Sequence, residues 1–161
     1  MNSTAEQYVT LLNELLQKKS ELLKDILDLS CAQTKVIDDE DIDGLNRLID
    51  EKQGKIDEID KLDKEFSDCF EKLKSILKVT RLDQLESFEL TGAKELKTKT
   101  AGIIKVISSI SEKENENSRK SKELLSRLGT EIKKINQNKK VSNAYTQTSF
   151  NTPSYFMDKK K

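Results

Sequence analysis

IDGLNRLIDEKQGKIDEIDKLDKEFSDCFEKLKSIL, residues 42–77, decides the fold. Its apolar residues Leu45, Ile49, Ile56, Ile59, Phe66, Phe70, Leu73 and Leu77 recur at alternating spacings of four and three, and Lys52 and Asp63 stand at the two missing steps. A strand would alternate every second residue, whereas a helix gathers this spacing on one face. The repeat is a heptad seam, so this helix seeks partner helices along its length.

The residues just before the seam, VIDDEDIDG (36–44), carry Asp39-x-Asp41-x-Asp43-Gly44, close to a calcium-loop signature. Counted from Asp39, the last position is Asp50, where the longer glutamate is the favoured bidentate ligand. Asn46 falls where an apolar residue is usual, and no second loop pairs with this one. Leu45, Leu48 and Ile49 already keep helical spacing inside the supposed loop. The better reading is an acidic helix start, with Asp39 or Asp41 as cap and the carboxylates facing the positive end of the helix dipole.

Further upstream, Ser3-Thr4-Ala5-Glu6 has capping-box spacing and predicts a helix from about Thr4. Tyr8, Leu12, Leu15, Leu22, Ile26 and Leu29, with Leu11, Leu16, Leu23 and Leu27 beside them, cover roughly 160° of a wheel at about 100° per residue. One neighbour needs about 100°, so this helix takes two. Either it is central among the chain's own helices, or one partner lies outside the chain and an apolar groove is left open.

Downstream of the seam, Thr80-Arg81-Leu82-Asp83 reads as a cap opening a short helix that packs Leu82, Leu85 and Phe88 while the chain reverses. Gly92 marks the start of a third helix carrying Leu96, Ile103, Ile107, Ile110, Leu124, Leu128, Ile132 and Ile135. Between Ile110 and Leu124 the seam positions become Glu114, Asn117 and Ser121. Buried, they would specify register at a cost in stability. Because residues 112–122 are polar throughout, the expectation is a break or a solvated stretch. From Gln137 helical period is lost, which predicts a disordered tail. Four of the eight aromatics, Tyr145, Phe150, Tyr155 and Phe156, nevertheless lie there with Met157. Spaced aromatics on a polar string look like anchors for a partner's pocket; the alternative is that the tail folds back on its own helices.

Bulk properties agree with long helices. A chain of 161 residues that is 34% apolar and 36% charged is lean for a globular core but normal for helices burying one face. The expected fold is all-α: an elongated antiparallel bundle or coiled coil of three long helices with a short connecting helix, spanning 1–137, followed by a flexible tail over 138–161. Net charge is zero but unevenly spread. Residues 38–71 hold 14 acids against 5 bases and residues 94–140 hold 13 bases against 6 acids, so these segments are candidates to pair, although each exposed pair contributes only ~0–1 kcal/mol. With no basic surplus, no nucleic-acid partner is expected. The chain has no histidine, and Cys31 and Cys69 lack C-x-x-C spacing. No metal, cofactor or enzymatic activity is therefore expected, and both thiols read as small apolar residues in a reducing compartment. The N-terminus lacks a secretory signal and no run approaches the ~20 apolar residues of a membrane span, so a cytoplasmic location without membrane insertion is expected.

The run Asp41-Ile42-x-x-Leu45-x-x-Leu48-Ile49-x-x-Lys52-Gln53-x-x-Ile56-Asp57-x-Ile59-x-x-Leu62-Asp63-x-x-Phe66 resembles the middle helix of FlgN-like flagellar export chaperones of Gram-positive bacteria. Asn115-x-Asn117 before an amphipathic helix, then Asn143-Ala144-Tyr145 and a polar tail with Met157-Asp158-Lys159-Lys160, are similar to that family's closing segments. The resemblance implies a chaperone that binds hook-associated proteins, those of the hook–filament junction, prevents early assembly and presents them to the flagellar export gate. By analogy the cargo face falls on Leu124, Leu125, Leu128, Ile132 and Ile135, and export-gate docking on Tyr145 and Phe150. The chain is then expected to be a monomer or weak homodimer. The alternative is a structural coiled-coil adaptor that acts by self-association.

Overall fold

The computed structural model describes residues 2–81, 84, 85 and 88–138. Nearly all of them lie in three helices, α1 Asn2–Asp38, α2 Ile42–Leu77 and α3 Ala93–Asn138, and there is no strand among the described residues. None of these helices is long and apolar enough to cross a membrane. Residues 139–161 of the expected tail, including Tyr145 and Phe150, lie outside the described residues.

Each helix contributes to two compact units: residues 1–28 with 52–110, and residues 29–51 with 111–161. In the first unit α1 meets both other helices, so its wide apolar face has partners within the chain, while Leu11 on that face stays 42% exposed. Toward α2, Lys19 Nζ lies 2.7 Å from Asp63 Oδ1, Lys55 lies 3.5 Å from Asp25, and Cys69 Sγ donates to the Tyr8 carbonyl at 3.6 Å. Residue numbers rise along one helix as they fall along the other, so the pair is antiparallel. Toward α3, Asn13 Nδ2 donates to the Gly92 carbonyl at 3.0 Å and Lys99 Nζ to the Asn13 carbonyl at 3.4 Å. Between them lies a core of Val9, Leu12, Leu16, Leu23, Ile26, Ile59, Cys69, Leu73, Leu96 and Ile103, closed at one end by Val79, Leu85 and Leu90 of the α2–α3 connection. The α2 seam faces inward as its spacing predicts, and even Lys52 at a missing step is buried, while Asp63 turns out to Lys19.

Local chemistry refines the expectations in this unit, and Phe88 and Ile107 depart from them. α1 begins at Asn2, and the Glu6 carboxylate accepts from the Thr91 N–H at 2.9 Å, holding the far end of the connection; the side chain of Ser3, the other half of the expected capping box, lies outside the described residues. In the connection Gln84 Oε1 accepts from Thr80 N–H at 2.7 Å and Arg81 N–H at 3.0 Å, while Asp83 of the expected cap lies outside the described residues. Leu85 is buried there, Phe88 is 40% exposed, and Leu82 lies outside the described residues. Ile107, expected on the third helix's inner stripe, is 44% exposed, beside Ile104 at 62%. Gly92 precedes α3 as predicted and has φ +90°, where a Cβ would also meet Asn13 Nδ2 at 3.0 Å and Val9 at 3.1 Å.

Candidate functional site

The second unit holds the segment of α3 that the sequence nominates for partner binding. Its frame is a helical hairpin formed by residues 29–51. α1 ends in a Schellman turn: Asp41 N–H donates to the Val36 carbonyl at 2.8 Å and Glu40 N–H to the Ile37 carbonyl at 3.0 Å, with Glu40 in the left-handed region at φ 56°. Asp41 then caps α2, its Oδ1 accepting from the Gly44 N–H at 2.9 Å. Of the two readings of the acidic stretch, the helix cap is the one observed, since residues 42–50 are helical.

α3 lies against this hairpin through two successive layers. The first is polar. Asn117 is fully buried; its Nδ2 donates to the Ser30 carbonyl at 2.8 Å, and its Oδ1 accepts from the Thr34 hydroxyl at 2.5 Å. Ser30, also fully buried, donates to Glu114 Oε1 at 2.8 Å. Ser121 is 3% exposed, and its hydroxyl has no hydrogen-bond partner among the described residues. The expected break at Glu114, Asn117 and Ser121 is therefore absent: α3 is continuous and these residues face inward. The helical period runs through the change in polarity: for Asn117, hydrogen bonds with Ser30 and Thr34 replace the water lost on burial, whereas Ser121 is buried without that compensation.

The second layer is apolar. Leu124, 2% exposed, packs in a cluster with Ile37, Leu45 and Ile49, joined by the half-buried Val36, Ile42 and Leu128. Outside it Lys120 Nζ meets Asp38 at 2.8 Å and Arg127 meets Glu40 at 3.6 Å, so opposite charges do pair at the start of the acidic stretch.

The five residues of the expected cargo face thus have unequal surroundings. Leu124 is core and Leu128 is packed on its edge, while Leu125 and Ile132 are half-buried and Ile135 is 52% exposed. Arg127 is level with the turn at Glu40, so residues 129–138 run on past the hairpin. At 1.5 Å per residue the segment from Leu128 to Ile135 adds roughly 10 Å of apolar row. Ile37, placed by sequence only in the acidic stretch before the seam, is one of the residues that meets Leu124; the polar Ser30 and Gln33 on the two preceding inward steps hide its place on that face.

The first unit has a concavity of its own, about 440 Å³, at the start of α3, lined by Asn13, Lys18, Thr91, Gly92, Glu95 and Lys99 among others. Lys99 is already engaged with Glu95 at 2.9 Å. Of the two cysteines, Cys31 is exposed, against expectation, while Cys69 is buried and its thiol titrates above the usual range because burial disfavours the thiolate.

Compared with known families, the chain matches the model of the family described as FlgN protein over residues 4–151. No curated protein and no solved structure matches.

Proposed function

This chain belongs to the FlgN family, and on that footing we propose that it is a cytoplasmic flagellar export chaperone carried on a bundle of three long helices. It binds hook-associated proteins of the hook–filament junction, keeps them from assembling early, and delivers them to the type III export gate. The observation that carries this reading is the apolar row of α3 that outruns its own hairpin. Leu124 and Leu128 are covered by the hairpin's cluster, and the row continues beyond that cluster through Ile132, half-buried, and Ile135, 52% exposed. Such a row suits an amphipathic helix from a filament-type cargo, whose apolar face would otherwise drive self-association. Binding of this kind requires no chemistry. Tyr145 and Phe150, carried over from the family resemblance, are proposed to dock at the export gate.

A second reading, a structural adaptor acting by self-association, draws support from Ile104 and Ile107, exposed on a stretch (100–111) whose only charged residue is Lys105. Size-exclusion chromatography with light scattering, run with the chain alone and with a purified hook-associated protein, separates the two. A monomer or weak dimer that shifts into a stable complex is expected. A tight homo-oligomer indifferent to that cargo overturns the chaperone reading. In secretion assays Tyr145→Ala should keep the complex and lose export; loss of both would place Tyr145 in cargo binding instead.

A further inference from the structure

One face of α3 carries both the covered and the uncovered part of the apolar row. Leu124, Leu128 and Ile135 fall on four-three spacing with Glu131 at the step between the last two and Ile132 beside it, so a helix laid on Ile132 and Ile135 can extend toward Leu124 only by taking the hairpin's place. The hairpin's hold is thin. Four apolar residues are buried in its cluster, and the layer next to it is polar, including the unpartnered Ser121 hydroxyl. Segments with few buried apolar contacts open at the low end of a protein's stability range.

We infer that residues 29–51 act as an intramolecular stand-in for a partner helix. An amphipathic helix with apolar residues at four-three spacing lands on Ile132 and Ile135, then displaces the hairpin from Leu128 and Leu124. Continuity of the row selects this occupant. A second copy of this chain fits less well, because two isoleucines on each side fall far short of the roughly 1,200 Å² that a stable pair buries. The inference rests on the chaperone reading and adds how its cargo face becomes available.

If exchange operates, apparent affinity scales with the fraction of molecules whose α3 is released. Changes to the hairpin, which the partner helix replaces, must then alter affinity. The full chain is titrated calorimetrically with a purified hook-associated protein, and hydrogen exchange is followed over 117–135. Ile49→Ala, on α2 and 6% exposed in the wild type, should speed that exchange and tighten binding by about tenfold or more. Ser121→Ala removes the unpaired hydroxyl from the covered face and should weaken binding several-fold. A purely direct effect of losing that hydroxyl on an apolar contact would strengthen it instead.

Binding of Ile49→Ala that is unchanged or weaker, with exchange over 117–135 raised, overturns displacement and leaves the chaperone reading intact. Unchanged exchange overturns it too, since the hairpin then does not hold α3. A wild-type chain that binds no hook-associated protein overturns both.

Discussion

The two units use the same three helices and hold them by different means. In the first, fifteen buried apolar residues form one cluster, and polar groups act mainly at its edge, at Asn13, Gly92 and Thr91. In the second, four buried apolar residues share the interface with Ser30, Asn117 and Ser121. Apolar burial contributes about 25 cal/mol per Å² wherever it occurs, whereas a buried hydrogen bond nets only about 1 kcal/mol and an unpaired buried hydroxyl costs about 1–3. A chain that keeps its stability in one region can leave another loose enough to exchange partners. The difference teaches where to look for function: in the region whose packing is incomplete.

The largest expected effect tests that contrast directly. Leu73→Ala, at a fully buried position of the first unit, should cost about 3–5 kcal/mol of global stability in urea unfolding followed by circular dichroism. Leu124→Ala makes the same chemical change in the second unit, where α3 can lift off instead of leaving a cavity. It should cost about 2 kcal/mol or less globally while strongly raising hydrogen exchange over 111–138. Equal global losses from the two would mean that the units are one cooperative structure and would break the comparison.

A smaller pair of changes sharpens it through glycine, with effects of opposite sign. Gly92→Ala places a Cβ at φ +90° and against Asn13 and Val9, and should lower stability by about 1–3 kcal/mol. Gly129 lies mid-helix in α3, and a Cβ there meets nothing within 4 Å. Gly129→Ala should therefore stabilise α3 by about 0.4–1 kcal/mol, visible as slower exchange in its distal turns. A destabilising Gly129→Ala would mean that α3 is bent or contacted there.

The helices were legible because burial follows spacing. Leu45, Ile49, Ile59 and Leu73 are buried where the heptad places them, and Gly92 punctuates where predicted. Two kinds of feature were hidden. Asn117 and Ser121 are polar by composition; Asn117 is buried through hydrogen bonds with distant Ser30 and Thr34, and Ser121 is buried with its hydroxyl unpaired, neither of which a local pattern can encode. Ile107 has the right identity, but Val106 and Ile110 take the inward steps after Ile103, so Ile107 falls beside the row and stays 44% exposed. The candidate site was legible as a row of residues and not as a boundary. That Leu124 is covered while Ile135 is not depends on where the hairpin ends, which is a tertiary fact.

The smallest effect concerns the edge of the first unit, where a single carboxylate ties α1 to the start of α3. The Thr91 hydroxyl and backbone N–H both stabilise the charged form of Glu6, and its carboxyl is held below the ordinary glutamate range. A group whose pKa falls on folding contributes stability that is fully present above its ordinary pKa and is lost as pH drops through the lowered one. Between neutral pH and about pH 5 the tie should hold. Below that, protonation should release Thr91 and speed exchange of its amide, while residues 111–138 should show no step assignable to Glu6. In Glu6→Gln the carboxamide oxygen can still accept from Thr91 N–H, but the charge is gone, so the acid-side step at Thr91 should vanish and exchange at neutral pH should rise modestly. Residue-resolved amide exchange from pH 3 to pH 7 reads both outcomes. If the step persists in the glutamine variant, another carboxylate controls that end of the unit. If it appears equally in the distal part of α3, the two regions do not respond separately, and the difference in how they are held is one of composition alone.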